Sequence, residues 1–177
     1  LGFDRSDVVN LGGIAATALQ DEQGVLYPVQ HTADGAVAYL KNVPSKGYKT
    51  FAPVEMDAEN PFSWADDRHI QTPFYNISFD ENGHMTSVYD REHDRELVKP
   101  GCKANLMRLY EDKPIYFDNW DIDMYYTEKS WPVNDLISMK WTENGPVRAT
   151  LEVQYRCVKS VICQKIHFYA NTRRIDF

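Results

Sequence analysis

At 177 residues the chain is long enough for one domain or two small ones, with a self-standing core that hides roughly 70% of the unfolded surface. A hydrophobic share of 43% beside 25% charged residues, with no apolar run near bilayer length, excludes a membrane-spanning helix and argues against global disorder. The net charge of -7 argues against a phosphate backbone as partner, because that needs a basic face.

The first fifty or so residues read as β-rich. Asp7-Val8-Val9, the run from Val25 to Thr32 and the run from Ala36 to Leu40 are predicted strands, turned at Gly24 and Asp34-Gly35; Gly47-Tyr48-Lys49-Thr50-Phe51 is predicted as a last short strand. Ile14 to Gln20 is Ala-rich but short and uncapped, so it is assigned strand or irregular rather than helix. Residues 1–55 are expected to form a small β domain. The stretch 56–73, with Pro61, Pro73, Asp57, Asp66 and Asp67 and little periodicity, is expected to be a linker.

Residues 74–177 are expected to form the first part of a larger β-sandwich. Tyr75, Ile77 and Phe79 alternate with polar neighbours, and Asp80-Glu81-Asn82-Gly83 contains the Asn-Gly pair favoured in a type I′ hairpin turn, with Met85 to Tyr89 returning. A charged connection from Asp90 leads to a short element at Glu96-Leu97-Val98. Leu106 to Tyr110, apolar on both faces, is predicted as a central strand. Past the Glu143-Asn144-Gly145-Pro146 turn, Val147, Ala149, Leu151, Val153, Tyr155 and Cys157 share one face of a long strand. Ile162, Ile166 and Phe168, interrupted by Gln164, return antiparallel to it before Asn171-Thr172 turn the chain toward Ile175 and Phe177. The fold class expected is all-β, an antiparallel β-sandwich, with no amphipathic helix of ten residues.

Local spacing offers little chemistry. Cys102, Cys157 and Cys163 are odd in number without CxxC spacing, and are expected to be buried free thiols of a reducing compartment. A reducing compartment goes with an expected cytoplasmic location, and the start at Leu1 without a leader pattern together with the alternating pattern still running at Phe177 suggests a piece of something longer. His31, His69, His84, His93 and His167 form no local metal motif, and no serine elbow or phosphate loop exists. Asn76-Ile77-Ser78 matches a glycosylation acceptor on the polar face of a strand.

Within an aromatic share of 13%, the segment from Tyr110 to Tyr126 is especially dense, with six rings beside several carboxylates. An aromatic plane can cover the apolar face of a pyranose while carboxylates take charge-assisted hydrogen bonds from its hydroxyls. The same residues could equally plug a sandwich edge and satisfy loop amides.

Leu106-Met107-Arg108-Leu109-Tyr110-Glu111-Asp112-Lys113-Pro114, then Trp120-Asp121-Ile122-Asp123 and Tyr125-Tyr126, resemble the C-terminal β region of glycoside hydrolase family 38 α-mannosidases. Phe79 to Asp90, Asn144 to Ala149 and Arg174 to Phe177 are similar to a hairpin, a later turn and a following strand of that family, and Leu1 to Val9 and Gly47 to Thr50 to its preceding small β domain. The resemblance implies a galactose mutarotase-like sandwich. It also implies a retaining glycosidase cutting terminal α-mannosides of oligosaccharides, with a catalytic aspartate and a zinc ion on an N-terminal barrel. No segment here resembles the barrel's motifs, so no catalytic or zinc-binding residue is transferred to this sequence. The implied role is a non-catalytic region that supports the chain's own N-terminal catalytic domain, with Asp118, Trp120, Asp121 and Asp123 as candidates for the substrate rim.

Two other functions are weighed. One is an autonomous carbohydrate-binding module using Trp120. The other is a mutarotase-like sugar enzyme in which His84 or His167 converges with Glu152. Open strand edges would favour self-association of the isolated chain.

Overall fold

A computed structural model describes residues 2–117 and 119–177, leaving out the side chain at 65. β1 (Arg5–Gly12), β2 (Ala18–Asp21), β3 (Leu26–Thr32), β4 (Gly35–Val43) and β5 (Phe51–Val54) form a five-stranded antiparallel sheet ordered β1-β4-β3-β2-β5. Its inward residues, Leu19, Tyr27, Val29, Ala36, Ala38 and Leu40, make a core of their own. The strand expected from Gly47 begins instead at Phe51. The residues before it place Lys49 over the Tyr27 and Phe51 rings, 5.2 and 5.6 Å from their centroids.

Lys49 completes a polar knot at the β2–β3 turn. The buried Asp21 carboxylate accepts from Lys49 Nζ at 2.8 Å, from Tyr27 Oη at 2.9 Å, and from the Gln23 and Val25 amides. Chiefly through the Lys49 bond, its pKa falls to about 2. A folded value below the ordinary one of about 3.9 means that the stabilisation is complete above that pH and is lost on acidification through the folded value. Asp21→Asn is therefore expected to lower the melting temperature at neutral pH, with the deficit narrowing as pH falls from about 4 toward 2. Melts across that range check it, and a deficit constant with pH would contradict the assignment.

β6 (Ser63–Asp66), β7 (His69–Gln71), β8 (Tyr75–Phe79), β9 (Met85–Asp90) and β10 (Arg95–Glu96) form a second sheet ordered β10-β9-β8-β7-β6. The stretch 56–73, read from sequence as a linker, thus carries two strands and contributes Phe62, just before β6, and Ile70 of β7 to the core. Their brevity and a register shift between Trp64 and Asp66 hide the alternation. At the β8–β9 turn only Gly83 has positive φ, so the turn is not type I′. Asp80 organises it instead, its side chain accepting from the Asn82 and His84 amides. Gly83 is fixed by space as well, since a Cβ there would lie 2.9 Å from Tyr155 Oη.

β11 (Arg108–Tyr110) and β12 (Ser130–Pro132) form a separate two-stranded ribbon. All three β11 residues are exposed, so the central position predicted for that strand is corrected; its two-faced apolarity is surface, not core. β13 (Asp135–Asn144), β14 (Arg148–Cys157), β15 (Ser160–Tyr169) and β16 (Ile175–Asp176) form the last sheet in that order, all antiparallel.

This last sheet and the second share one core. Ala149, Leu151, Val153, Tyr155, Ile166 and Phe168 meet Ile70, Ile77, Phe79, Met85 and Val88. The expected pairing of β14 with β15 holds from Arg148↔Tyr169 to Cys157↔Ser160. Gln164, which interrupts the inward face, exchanges amide hydrogen bonds with Asn105 at 2.8 and 3.1 Å, so its polarity is satisfied.

The cysteines are free, but Cys102 and Cys163 are exposed and Cys157 is half-buried, against the burial expected of them. Cys163 opposes Gln154 on the polar side of the β14–β15 pair, and Cys102 lies in the turn closed by its amide bond to the Lys99 carbonyl.

Candidate functional site

The acidic-aromatic segment links β11 to β12 as an arm covering 111–129. The ribbon pairs Arg108↔Pro132, Leu109↔Trp131 and Tyr110↔Ser130, and the Glu111 amide donates to the Lys129 carbonyl at 3.1 Å, extending the ladder by one rung. Arg108 Nη2 donates to Ser130 Oγ at 2.7 Å, and the Val133 amide to the Met107 carbonyl, tying the base to the body. Beyond the base, two of the carboxylates, Glu111 and Asp123, are spent within the arm. Glu111 sits between Lys113 at 3.0 Å and Lys129 at 3.1 Å; these two ammonium groups, Lys113 first, hold its carboxyl below the ordinary range.

Of the rim candidates, Asp118 lies outside the described residues. Trp120 is 88% exposed, and its amide and that of Asp121 both donate to the Phe117 carbonyl in a tight turn. Phe117 itself stands at φ 61, a left-handed conformation uncommon for an aromatic residue. Asp123 starts a short 3-10 helix, Met124–Glu128, and its Oδ2 accepts the Ile115 amide at 2.8 Å, which pins the two legs of the arm together. So Trp120, Asp121 and Asp123 share one arm, but Asp123 acts on backbone and Trp120 is open to solvent.

Where the legs converge there is a cleft of about 450 Å³ lined by Tyr110, Asp112, Ile122 and Tyr126. The Tyr110 and Tyr126 rings meet edge to face, 5.3 Å apart and inclined by 64°. Sequence reasoning singled out the wider segment but not these four. The signal that finds them is the Tyr110↔Ser130 pairing, which folds the 3-10 helix back over the end of β11.

Exposed apolar side chains crowd the same arm: Ile115, Tyr116, Phe117, Trp120, Ile122 and Met124.

The mutarotase-like constellation does not form. His84 is buried, stacked on Tyr155 at 6.2 Å and 11°, whereas Glu152 lies on the opposite face of β14 and pairs with Lys140. His167 meets Thr150 Oγ1 through Nδ1 at 2.8 Å rather than Glu152. No group of three or more His, Cys, Asp or Glu among the described residues is placed to hold a metal ion, so the zinc implied by the resemblance has no donor set there. No helix among the described residues is long and apolar enough to cross a membrane.

Every carboxyl that departs from its ordinary pKa among the described residues departs downward: Asp21, Asp66, Asp80, Asp90, Glu96, Glu111 and Glu143. For Asp90, burial works against ionisation, but Arg173 and His93 outweigh it. For Glu143, burial is likewise overcome by Arg148 and Thr150. Asp21, Asp80, Asp90, Glu111 and Glu143 are acceptors held in ion pairs with lysine or arginine, whereas Asp66 meets the His69 ring and the Arg68 amide and Glu96 accepts from Ser87 Oγ and the Val88 and Val98 amides.

The model of the glycosyl hydrolases family 38 C-terminal domain matches residues 70–177. The chain belongs to that family. Among its relatives, Alpha-mannosidase G of Dictyostelium discoideum is 27% identical over 114 residues, which cover 61% of this chain and 10% of that protein. Human Alpha-mannosidase 2C1 is 33% identical over 57 residues, covering 32% of this chain and 6% of that protein. This family 38 chain therefore spans a tenth or less of the length of these curated relatives. An alpha-mannosidase from Enterococcus faecalis V583 superimposes on 99% of the chain and 24% of its own, with a TM-score of 0.48 and 10% identity.

Proposed function

We propose that this chain is the non-catalytic β portion of a retaining α-mannosidase acting on terminal α-mannosides of oligosaccharides. In this reading it supports a catalytic barrel supplied by the polypeptide outside these residues, where the nucleophile and the zinc ligands reside. The arm is the element that reaches the barrel, with Trp120, Asp121 and Asp123 toward the rim of its active site. The observation that carries the reading is the family match over 70–177, the part that contains the arm and most of the shared sandwich core.

The electrostatics support the non-catalytic part. A retaining glycosidase needs an acid whose pKa is raised beside a nucleophilic carboxylate roughly 5 Å away. Here the shifted carboxyls all move the other way. The exposed apolar side chains of the arm support contact with another surface.

The test is turnover of an aryl α-mannoside. The 177-residue chain alone is expected to release no aryl product with or without zinc, whereas the intact polypeptide is expected to do so. Turnover by the chain alone, abolished by neutralising one of its own carboxylates, would overturn the non-catalytic assignment. An intact polypeptide that leaves α-mannosides uncut would overturn the activity.

A further inference from the structure

We infer that the cleft between Tyr110, Asp112, Ile122 and Tyr126 is a binding site for a neutral hexopyranoside of the α-mannoside class. The choice of sugar rests on the reading of the chain as part of an α-mannosidase; the existence of the site rests on the cleft alone.

The carboxylates of the arm divide by what they already hold. Glu111 is occupied by two lysines and Asp123 by the Ile115 amide. Asp112 is exposed and, among the described residues, has no hydrogen-bond or ion-pair partner. The hydroxyls of Tyr110 and Tyr126 are equally unspent among the described residues. Asp112 with its free carboxylate and Tyr110 and Tyr126 with their free hydroxyls thus line one cleft together with Ile122.

That combination matches a pyranose. The inclined ring pair offers one face to cover the C–H side of the sugar and one edge to bound it, while Asp112 takes charge-assisted hydrogen bonds from vicinal hydroxyls. The volume of about 450 Å³ falls in the range of small-molecule sites, roughly 300–1,000 Å³. An unpaired carboxylate in the wall opposes a phosphorylated or uronic sugar by like-charge repulsion, which makes the ligand neutral. Trp120 offers a larger ring, but 88% of it is bare to solvent, so it lacks the walls that a specific contact requires.

Amide NMR titration of the 177-residue chain with methyl α-mannopyranoside tests the assignment. Saturable shifts are expected at Tyr110, Asp112, Ile122 and Tyr126. Asp112→Asn keeps the shape of an exposed, unpartnered residue and is expected to weaken binding about tenfold, the loss of a charge-assisted bond. Tyr126→Ala should weaken it at least as much, and Trp120→Ala should leave it within about twofold. Mannose 6-phosphate should produce no saturable shift at these positions.

No saturable shift with the methyl mannoside, or binding that survives Asp112→Asn and Tyr126→Ala but is lost in Trp120→Ala, overturns the site. Tighter binding of methyl α-glucopyranoside overturns the sugar class. Hydrolysis by the intact polypeptide is read separately, so its failure would sink the mannosidase reading while the titration still decides whether the cleft binds a sugar.

Discussion

Replacing Gln30 with leucine is expected to destabilise the protein by about 2–4 kcal/mol, read as a lower urea midpoint at an unchanged slope. Gln30 sits on β3 in the first sheet, yet its side chain serves the turn before β14. Its Oε1 accepts from the Val147 amide at 3.0 Å and the Arg148 amide at 2.8 Å, and its Nε2 donates to the Arg148 carbonyl at 2.9 Å. One side-chain amide thus replaces a strand partner for three backbone groups across 117–118 residues of sequence. Leucine has similar bulk but returns nothing, and buried amides left without a partner cost about 1–3 kcal/mol each.

Gly145 is the other half of that contact. A Cβ at 145 would come within 2.6 Å of Gln30 Cδ, so Gly145→Ala displaces the amide from its partners. Both substitutions remove the same bonds, and the double variant should therefore lose less than the sum of the two. Full additivity would show that Gln30 and Gly145 act independently and would refute the joint role. The same contact connects the first sheet to the turn that aims β14 into the sandwich.

Sequence reasoning located the parts of the fold whose alternation is long enough to survive an interruption. β14 keeps a two-residue period along its ten residues and β15 does so with Gln164 as the one break, and their pairing follows from the hairpin between them. β13 is equally long but received no assignment, because register shifts at Leu136/Ser138 and Trp141/Glu143 break its inward set of Leu136, Met139 and Trp141. β6 and β7 are too short to show a period at all. The arm was legible as a composition, since rings and acids cluster there. Which of its acids are occupied was not, because that depends on Lys113, Lys129 and the Ile115 amide arriving from elsewhere in the loop. The cysteines misled for a related reason: small size suggests burial, whereas Cys163 follows the outward phase of β15.

Phe168→Ala is expected to be the most damaging single truncation in the shared core, costing about 3–5 kcal/mol. The ring is 1% exposed and stands where both sheets contribute aromatics, 6.4 Å from Phe79 and 5.9 Å from Trp141. Its cross-strand partner on β14 is Ala149, fully buried and too small to fill a void, and on its other side it faces the short edge strand β16 at Ile175. Removing the ring therefore leaves a cavity whose walls cannot collapse, which adds to the lost transfer energy and to the edge-to-face contacts. Phe168→Leu retains most of the volume and should cost clearly less, while Phe177→Ala, with 62% of the side chain exposed, should stay within about 0.5 kcal/mol. Urea unfolding of the three variants, followed through tryptophan emission with Trp141 beside the site, orders them directly. If Phe168→Ala proved no worse than Phe177→Ala, the two sheets would not share the core that holds the arm's base in place through Val133 and Met107.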